Sequence, residues 1–235
     1  GHGHQHRHDS QRGKIGGALE SGMAIGTPHD VPGAGRIEFW FDFASTYSYL
    51  SVMRIEDDAA RLGVRVLWKP FLLGPVFKAL GWDNSPFLIQ KEKGEYMWKD
   101  IARLCAKYDI PWHRPATFPH LAVLPLRVAL IGAAMPWVGE FSRRIMLLNF
   151  ASELDHDINS DAVVGEVLDR MGLPARALIA EACSQPIKQR LKEQTEAARM
   201  KGIFGAPSFF VGDEMFWGND RLDDALAFAA GKGAS

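Results

Sequence analysis

The chain has 235 residues, of which 47% are hydrophobic and 23% are charged, so it can form a sizeable core and has an ordinary globular composition. The formal net charge of −1 argues against nucleic acid or a membrane surface as a partner, and no apolar stretch is long enough to span a bilayer. The two cysteines, Cys105 and Cys183, belong to no Cys-x-x-Cys pair and no metal-ligand pattern, which predicts a cytoplasmic protein without a metal site.

Residues 1–34 are rich in glycine, serine and histidine and lack the apolar periodicity of a folded segment. Histidine alternates with other residues from His2 to His8, a spacing that could bind a metal ion. We favour the simpler interpretation that 1–34 is a disordered leader or a tag, and we place the start of the folded domain at Arg36.

A strand, a helix and a second strand are predicted at the start of this domain. Arg36–Phe41 is mostly apolar, as a buried strand should be, and Leu50–Leu62 carries apolar residues at helical spacing until Gly63. Val64–Pro70 then alternates, which indicates another strand. This order predicts a βαβ unit with a right-handed crossover.

Ser45 lies where the first strand passes into the helix. Backbone N–H groups at the start of a helix are unpaired and carry partial positive charge, so this position favours an anion. The Ser45 hydroxyl could therefore help to hold a thiolate, a carboxylate or an oxyanion. The alternative is that Ser45 or Thr46 only caps the helix, as serine and threonine often do.

Helical patterns follow a predicted loop at Phe71–Pro86, and strand patterns return only near the C-terminus. The helical segments are predicted at 87–108, 120–135, 138–150, 160–171, 174–183 and 186–201, with boundaries marked mainly by proline and glycine. Pro207–Val211 and Glu214–Trp217 then predict a hairpin with a Gly-Asp turn, and Leu222–Ala230 predicts a final helix.

The order βαβ, helices, ββα predicts an α/β fold in which a thioredoxin-like sheet carries an all-α helical insertion. We assign 36–86 and 202–231 to the thioredoxin-like domain and 87–201 to the helical insertion. Loops at the ends of the strands are expected to form the functional site.

Several polar residues are further candidates, each with a plainer alternative. Asn219 or Asp220 could simply cap the last helix. Lys69 could point into the site and attract a carboxylate, or it could lie exposed at a strand edge. Asn84 could be a simple turn residue, and Lys93 lies in a charged run of the kind that is usually a solvated helix face.

Five motifs occur in a characteristic order through the domain. They are FDFASTYSYL at 41–50, KPFLLG at 69–74, NSP at 84–86 with KGEY at 93–96, FGAPS at 204–208, and GNDR at 218–221. With these motifs the chain resembles the 2-hydroxychromene-2-carboxylate isomerases, which are related to the kappa-class glutathione transferases and to DsbA-type oxidoreductases. The resemblance spans about residues 36–231.

The resemblance implies that glutathione is the cofactor and that Ser45 hydrogen-bonds its thiolate. In disulfide oxidoreductases of this fold, the strand-to-helix turn carries Cys-x-x-Cys. Here the matching segment runs from Ser45 to Ser48 and has no thiol, so it cannot exchange disulfides. Thr46 departs from the proline that is common at this position, but the departure leaves Ser45 in place.

The remaining motifs imply how the rest of glutathione and the substrate bind. Ala206, held by a cis peptide before Pro207, should pair with the cysteinyl backbone, whereas a proline at a strand start does not by itself predict a cis bond. Asn219, Asp220 and Arg221 should reach the γ-glutamyl end, with the Asp220 carboxylate at the amino group. The expected substrate-binding residues are Tyr47, Lys69, Asn84 and Lys93.

The activity that the resemblance implies is a glutathione-dependent isomerisation of 2-hydroxychromene-2-carboxylate or a similar aromatic carboxylate. A thiolate would add reversibly to the conjugated substrate, turn a double bond into a rotatable single bond, and leave after rotation. The alternatives are a kappa-like glutathione transferase or peroxidase, which would consume glutathione, and a non-catalytic glutathione- or peptide-binding module. The expected partners are a small aromatic substrate and a second copy in a homodimer.

Overall fold

The computed structural model describes residues 35–231, so the predicted leader at 1–34 lies outside the described residues. The strands are β1 (Arg36–Phe41), β2 (Arg65–Pro70), β3 (Ser208–Val211) and β4 (Glu214–Trp217). The helices are α1 (Thr46–Arg61), α2 (Leu73–Ala79), α3 (Pro86–Ile89), α4 (Lys91–Tyr108), α5 (Val123–Ile131), α6 (Val138–Phe150), α7 (Asp161–Arg170), α8 (Ala175–Ala182), α9 (Gln185–Met200) and α10 (Leu222–Ala229). A short 3-10 turn, Asn219–Arg221, precedes α10.

The four strands form one mixed sheet in the order β2-β1-β3-β4. β1 pairs in parallel with β2 and antiparallel with β3, and β3 pairs antiparallel with β4. Helices α2 to α9 lie between β2 and β3 in the chain. The predicted α/β fold, a thioredoxin-like sheet with helices inserted into it, is confirmed.

β1 is an inner strand of the sheet, and its side chains pack into two separate core clusters. Phe39 is fully buried on one face, with its ring centroid 4.9 Å from that of Phe41 and 5.4 Å from that of Phe209. Trp40 belongs to a smaller cluster that also contains Phe71. A strand with buried side chains on both faces has to be apolar almost throughout, which is the pattern of Arg36–Phe41.

The larger core cluster joins the sheet to the helical block. It contains Phe39 of β1, Ile55 of α1, Phe141 of α6 and Leu168 of α7. The sheet and the inserted helices therefore share one hydrophobic core. The boundaries at 36–86, 87–201 and 202–231 stay a prediction.

The stretch Phe71–Pro86 was expected to be a loop, and this prediction is wrong because it contains α2. A carboxylate oxygen of Asp42 accepts the N–H of Leu73 at 2.9 Å, and Val76 is buried in the smaller core cluster. Both contacts come from residues distant in sequence, so local propensity does not reveal this helix.

Two other boundaries differ from the predicted ones. The segment predicted as one helix at 87–108 is divided at Gln90, whose backbone is extended between α3 and α4. The helix predicted at 120–135 is shorter, because α5 begins only at Val123. In residues 35–231, no helix combines the length and the hydropathy needed to cross a membrane.

Candidate active site

Ser45 caps α1 and also contacts the loop before β3. Its backbone is extended, with φ −88° and ψ 124°, and its hydroxyl oxygen accepts the N–H of Ser48 at 3.1 Å. The same hydroxyl donates to the carbonyl of Ala206 at 3.3 Å. The helix begins at Thr46 rather than at the predicted Leu50, which makes Ser45 the N-cap. The cap interpretation of this serine is therefore correct and leaves room for a second role.

The start of α1 carries unpaired backbone donors. Among residues 35–231, the N–H groups of Thr46 and Tyr47 have no acceptor, and the first turn contains no acidic residue. A helix of 16 residues has a developed dipole with its positive end here. An anion beside Ser45 would face both the free N–H groups and this dipole.

Asp42 holds the turn that carries Ser45. Its carboxylate accepts the N–H of Ala44 at 3.0 Å and that of Leu73 at 2.9 Å, which ties the turn to the start of α2. Burial raises the pKa of Asp42 to about 6, against the opposing effect of the two N–H donors. We did not single out Asp42 from the sequence, although an aspartate directly after an apolar strand commonly organises a turn.

The Ala206–Pro207 peptide bond is cis and faces the start of α1. The resemblance implied this geometry, and the local sequence alone did not. Ala206 is half-buried at a cavity wall, and its N–H has no acceptor among residues 35–231. Pro207 is buried behind it and accepts the N–H of Gly218 at 2.9 Å. Ala206 therefore offers an unpaired donor next to the Ser45 hydroxyl.

Asn219 is buried, with 3% of its surface exposed. Its side-chain oxygen accepts from the Ser51 hydroxyl at 2.9 Å and from the Arg54 guanidinium at 3.0 Å. Its Nδ2 has no hydrogen-bond partner among residues 35–231. Neither Asn219 nor Asp220 caps α10 through its side chain, so the capping alternative is wrong. Asn219 thus joins the turn before α10 to helix α1 at the cavity wall, and its Nδ2 is enclosed by protein.

One cavity of about 1130 Å³ connects these elements. The predicted site residues that line it are Ser45, Tyr47, Asn84, Lys93, Ala206, Asn219, Asp220 and Arg221. They come from the α1 start, the segment before α3, helix α4, the loop before β3 and the turn before α10. The tertiary structure thus brings together residues that are separated by most of the chain.

Lys69 lies elsewhere. It sits in β2 opposite Trp40 of β1 and is half-buried, but it does not line the cavity. The neighbouring Trp68 belongs to the larger core cluster, so strand alternation points Lys69 to the other face of the sheet. The expectation that Lys69 binds substrate is not supported by this position.

Tyr47 lines the cavity, and its hydroxyl donates to the Asp100 carboxylate at 2.8 Å. Burial is the largest cause that raises the pKa of Tyr47, and the hydrogen bond to Asp100 raises it further. Asp100 also lines the cavity. The sequence carried no signal for Asp100, because its role depends on the packing of α4 against α1.

His120 also lines the cavity. One ring nitrogen, Nδ1, lies 2.7 Å from the side-chain oxygen of Asn149, and Nε2 lies 2.9 Å from a carboxylate oxygen of Asp155. Asn149 donates its Nδ2 to the carbonyl of Phe43 at 2.9 Å, which fixes the orientation of its amide. Both ring nitrogens of His120 therefore lie within hydrogen-bond distance of a side-chain oxygen.

Large apolar side chains form much of the remaining cavity surface. They are Phe77, Trp82, Phe87, Phe118, Phe204 and Trp217. Phe204 and Trp217 pack together beside the Ala206 loop, with ring centroids 4.9 Å apart. A cavity with apolar walls and a few polar groups at one end is suited to a flat aromatic ligand that carries polar substituents.

The mixed sheet, the capped strand-to-helix turn and the cis-proline loop facing it define a thioredoxin-fold protein, with a hydroxyl where redox members carry a thiol. The family model described as a DSBA-like thioredoxin domain matches residues 36–228. The chain belongs to this family.

Individual relatives narrow the comparison. Two proteins named 2-hydroxychromene-2-carboxylate isomerase, from Sphingobium xenophagum and Pseudomonas putida, are each 30% identical to this chain. The matches cover 80% of this chain and 94% of the first relative, and 79% of this chain and 90% of the second. Glutathione S-transferase kappa 1 from Rattus norvegicus is 25% identical, over 83% of this chain and 91% of its own length.

A solved structure of a 2-hydroxychromene-2-carboxylate isomerase superposes on the chain with a TM-score of 0.72 at 27% sequence identity. The superposition covers 80% of this chain and 90% of that one. The resemblance that the five motifs indicated is confirmed by both kinds of comparison.

Proposed function

We propose that this protein is a glutathione-dependent isomerase of 2-hydroxychromene-2-carboxylate or a similar aromatic carboxylate. The observation that carries the proposal is the pairing of the Ser45 hydroxyl with the Ala206 carbonyl at 3.3 Å, at a free helix start in an aromatic cavity. Relatives named as isomerases and as glutathione transferases support both the class of enzyme and the cofactor.

The unpaired groups of the site fit a γ-glutamyl tripeptide. The free N–H of Ala206 suits a peptide carbonyl. Asp220 offers a carboxylate to an amino group, with Arg221 beside it. Together these groups present complementary donors and acceptors along one side of the cavity.

Glutathione, when bound, supplies a thiolate that adds reversibly to the conjugated double bond of the substrate and permits rotation. Ser45 would orient its hydroxyl hydrogen towards the sulfur, while its oxygen continues to accept from Ser48. The start of α1 adds further stabilisation of the negative charge. Lys93 and Asn84 lie on the cavity wall, where they would attract and orient a carboxylate.

A kappa-like transferase or peroxidase is the second candidate, favoured by the rat relative. The two activities differ in the fate of glutathione. We expect spectral isomerisation of the substrate at a catalytic glutathione concentration, with the thiol recovered at the end. Stoichiometric loss of the thiol together with a conjugate or disulfide product would contradict the isomerase proposal, as would tight glutathione binding without any turnover.

A cytoplasmic location and a homodimeric assembly remain predictions of the sequence and the family. Analytical ultracentrifugation of the purified protein tests the assembly. A monomer at micromolar concentration would contradict the predicted homodimer.

A further inference from the structure

We propose that Tyr47 and Asp100 form a pair that recognises a hydroxyl group on the substrate and relays its proton. The proton relay rests on the proposed function, because it is a step of that reaction. Recognition of a hydroxyl group is argued from the geometry alone. The Tyr47 hydroxyl lies 2.8 Å from Oδ2 of Asp100, and both residues line the cavity that contains Ser45.

The direction of this hydrogen bond is determined by the chemistry of the two groups. An ionised carboxylate can only accept, so Tyr47 gives its single hydroxyl hydrogen to Asp100. The lone pair that remains on the Tyr47 oxygen can only accept. A ligand oxygen at this position must therefore carry a hydrogen, as the hydroxyl of a phenol or a hemiketal does. An ether or carbonyl oxygen has no hydrogen to donate, so its lone pairs would repel those of the Tyr47 oxygen.

The pair is not explained by neutralisation of charge or by helix packing. None of the salt bridges within residues 35–231 includes Asp100. The contact between α1 and α4 already buries Met97 and Ile101 in the core and bonds the Thr46 hydroxyl to the Met97 sulfur at 3.1 Å. Tyr47 and Asp100 stand instead at the cavity end of this interface, with the Tyr47 ring against Phe87 at 5.8 Å between centroids.

The proposed substrate has the group that this pair requires. A 2-hydroxychromene is a cyclic hemiketal, and its ring opens when the bond between C2 and the ring oxygen breaks. The hemiketal hydroxyl then becomes a carbonyl and releases a proton, and the ring oxygen keeps the electron pair of the broken bond as a phenoxide. The phenoxide regains one proton to become a phenol, so the step consumes no oxidant, reductant or other reactant.

The pair can move this proton without forming a tyrosinate. As the hemiketal proton reaches the Tyr47 oxygen, the original hydrogen of Tyr47 passes to Asp100, and the return path delivers a proton to the phenoxide. Burial and the nearby Asp100 raise the pKa of Tyr47, which agrees with a tyrosine that stays neutral throughout. Tyr47 would act by touching the substrate, and Asp100 by holding the proton.

Hydroxyl recognition can be tested by binding alone. The probes are trans-2-hydroxycinnamate and 2-methoxycinnamate, titrated into the glutathione-saturated protein by calorimetry. We expect the hydroxy compound to bind roughly ten- to a hundred-fold more tightly to the unaltered protein, and Tyr47→Phe to bring the ratio of the two affinities close to one. Tyr96→Phe is the matched control, because Tyr96 is also at the cavity and forms no side-chain hydrogen bond in the described chain; it should leave the ratio unchanged.

The relay is tested by Asp100→Asn. An asparagine oxygen still accepts from Tyr47 but cannot take up a proton, so we expect the affinity ratio to persist while the rate of isomerisation falls at least ten-fold. A ratio near one in the unaltered protein, or an unchanged ratio in Tyr47→Phe, overturns the recognition. An unchanged rate in Asp100→Asn overturns the relay. The unaltered protein could select the hydroxy compound, and Tyr47→Phe could lose that selectivity, while no isomerisation is detected. In that case the isomerase proposal fails and the recognition of a hydroxyl group stands.

Discussion

The hydroxyl of Ser45 donates to the carbonyl of Ala206 across 3.3 Å while its oxygen accepts the N–H of Ser48 across 3.1 Å. The bond to Ala206 is long for a hydroxyl donor, so it is weak and easily exchanged. The oxygen can stay fixed by the helix while the hydrogen turns to an incoming anion. Capping and anion binding are therefore compatible at this one residue.

Ser45→Ala should separate these two roles when it is compared with Ser160→Ala. Ser160 caps α7 in the same way, accepting the N–H of Val163 at 3.1 Å, and it does not line the cavity. Both changes should lower the free energy of unfolding by about 1 kcal/mol. Only Ser45→Ala should also reduce turnover, by about 10²- to 10³-fold. The same variant should show a lower ultraviolet absorbance from the bound thiolate. Equal turnover in the two variants would contradict the role of Ser45.

Asp42 should make stability decrease as the pH rises from about 4 to about 6. Its pKa is raised from 3.8 to about 6 by burial, so between these values the folded protein binds more protons at this site than the unfolded chain does. The loss corresponds to about 3 kcal/mol and is complete above about pH 7. Urea unfolding of the unaltered protein and of Asp42→Asn at each pH isolates this contribution, because other titrating groups are common to both.

As the pH rises towards 7, the unaltered protein should lose stability relative to Asp42→Asn. The difference in unfolding free energy between the two proteins should therefore change with pH. A constant difference from pH 4 to pH 7 would show that Asp42 does not titrate in this range. The variant should also be less stable at low pH, because an amide cannot accept from both Ala44 and Leu73 as the carboxyl group does.

Two glycine substitutions should have opposite effects. A Cβ at Gly94 would collide with the carbonyl oxygen of Phe87, so Gly94→Ala should displace α3 against α4 and cost about 1–3 kcal/mol. A Cβ at Gly165 would lie 3.4 Å from Ile179 Cδ1, an ordinary contact, so Gly165→Ala should add about 0.5–1 kcal/mol of stability. Thermal unfolding measures both effects.

Gly94→Ala should also weaken binding of the aromatic carboxylate substrate, since Phe87 and Lys93 line the cavity at the displaced joint. Gly165→Ala should leave the affinity unchanged. Equal affinities in the two variants would show that the joint between α3 and α4 does not shape the site.

Asn149 should matter more to stability than a comparable half-buried amide. Asn149→Leu removes the acceptor of His120 and leaves the Phe43 carbonyl without its donor in a buried site, at a cost of about 2–4 kcal/mol. Gln194 donates to the Pro70 carbonyl at 2.8 Å in a half-buried position, so Gln194→Leu should cost about 1 kcal/mol. Chemical denaturation of both variants provides the comparison, and equal losses would contradict the buried network.

Local sequence patterns were sufficient for most of the elements. The apolar run Arg36–Phe41, the helical periodicity that identified α1, and the hairpin before α10 are each short-range signals with a direct physical cause. The motif at 41–50 also located Ser45, because a helix start needs a cap and provides free N–H groups wherever it occurs.

Long-range contacts were invisible to the same reasoning. Helix α2 depends on the bond from Leu73 to Asp42 and on burial of Val76, neither of which local propensity encodes. Lys69 was expected at the site because it follows an apolar strand pattern, but only the pairing of β2 with β1 decides which face it occupies. His120 and Asp100 were missed because their partners lie in distant segments of the chain.

The sequence by itself determined the order of the strands, the absence of thiols from the turn at 45–48 and the identity of the family, since each depends on short patterns that are read along the chain. Only the tertiary structure decided what surrounds Ser45. Its hydroxyl reaches Ala206 because the central strand β1 brings together segments that lie 161 residues apart, and Tyr47 meets Asp100 because α1 and α4 pack side by side. Such distances are set by packing of the whole core, to which every element contributes.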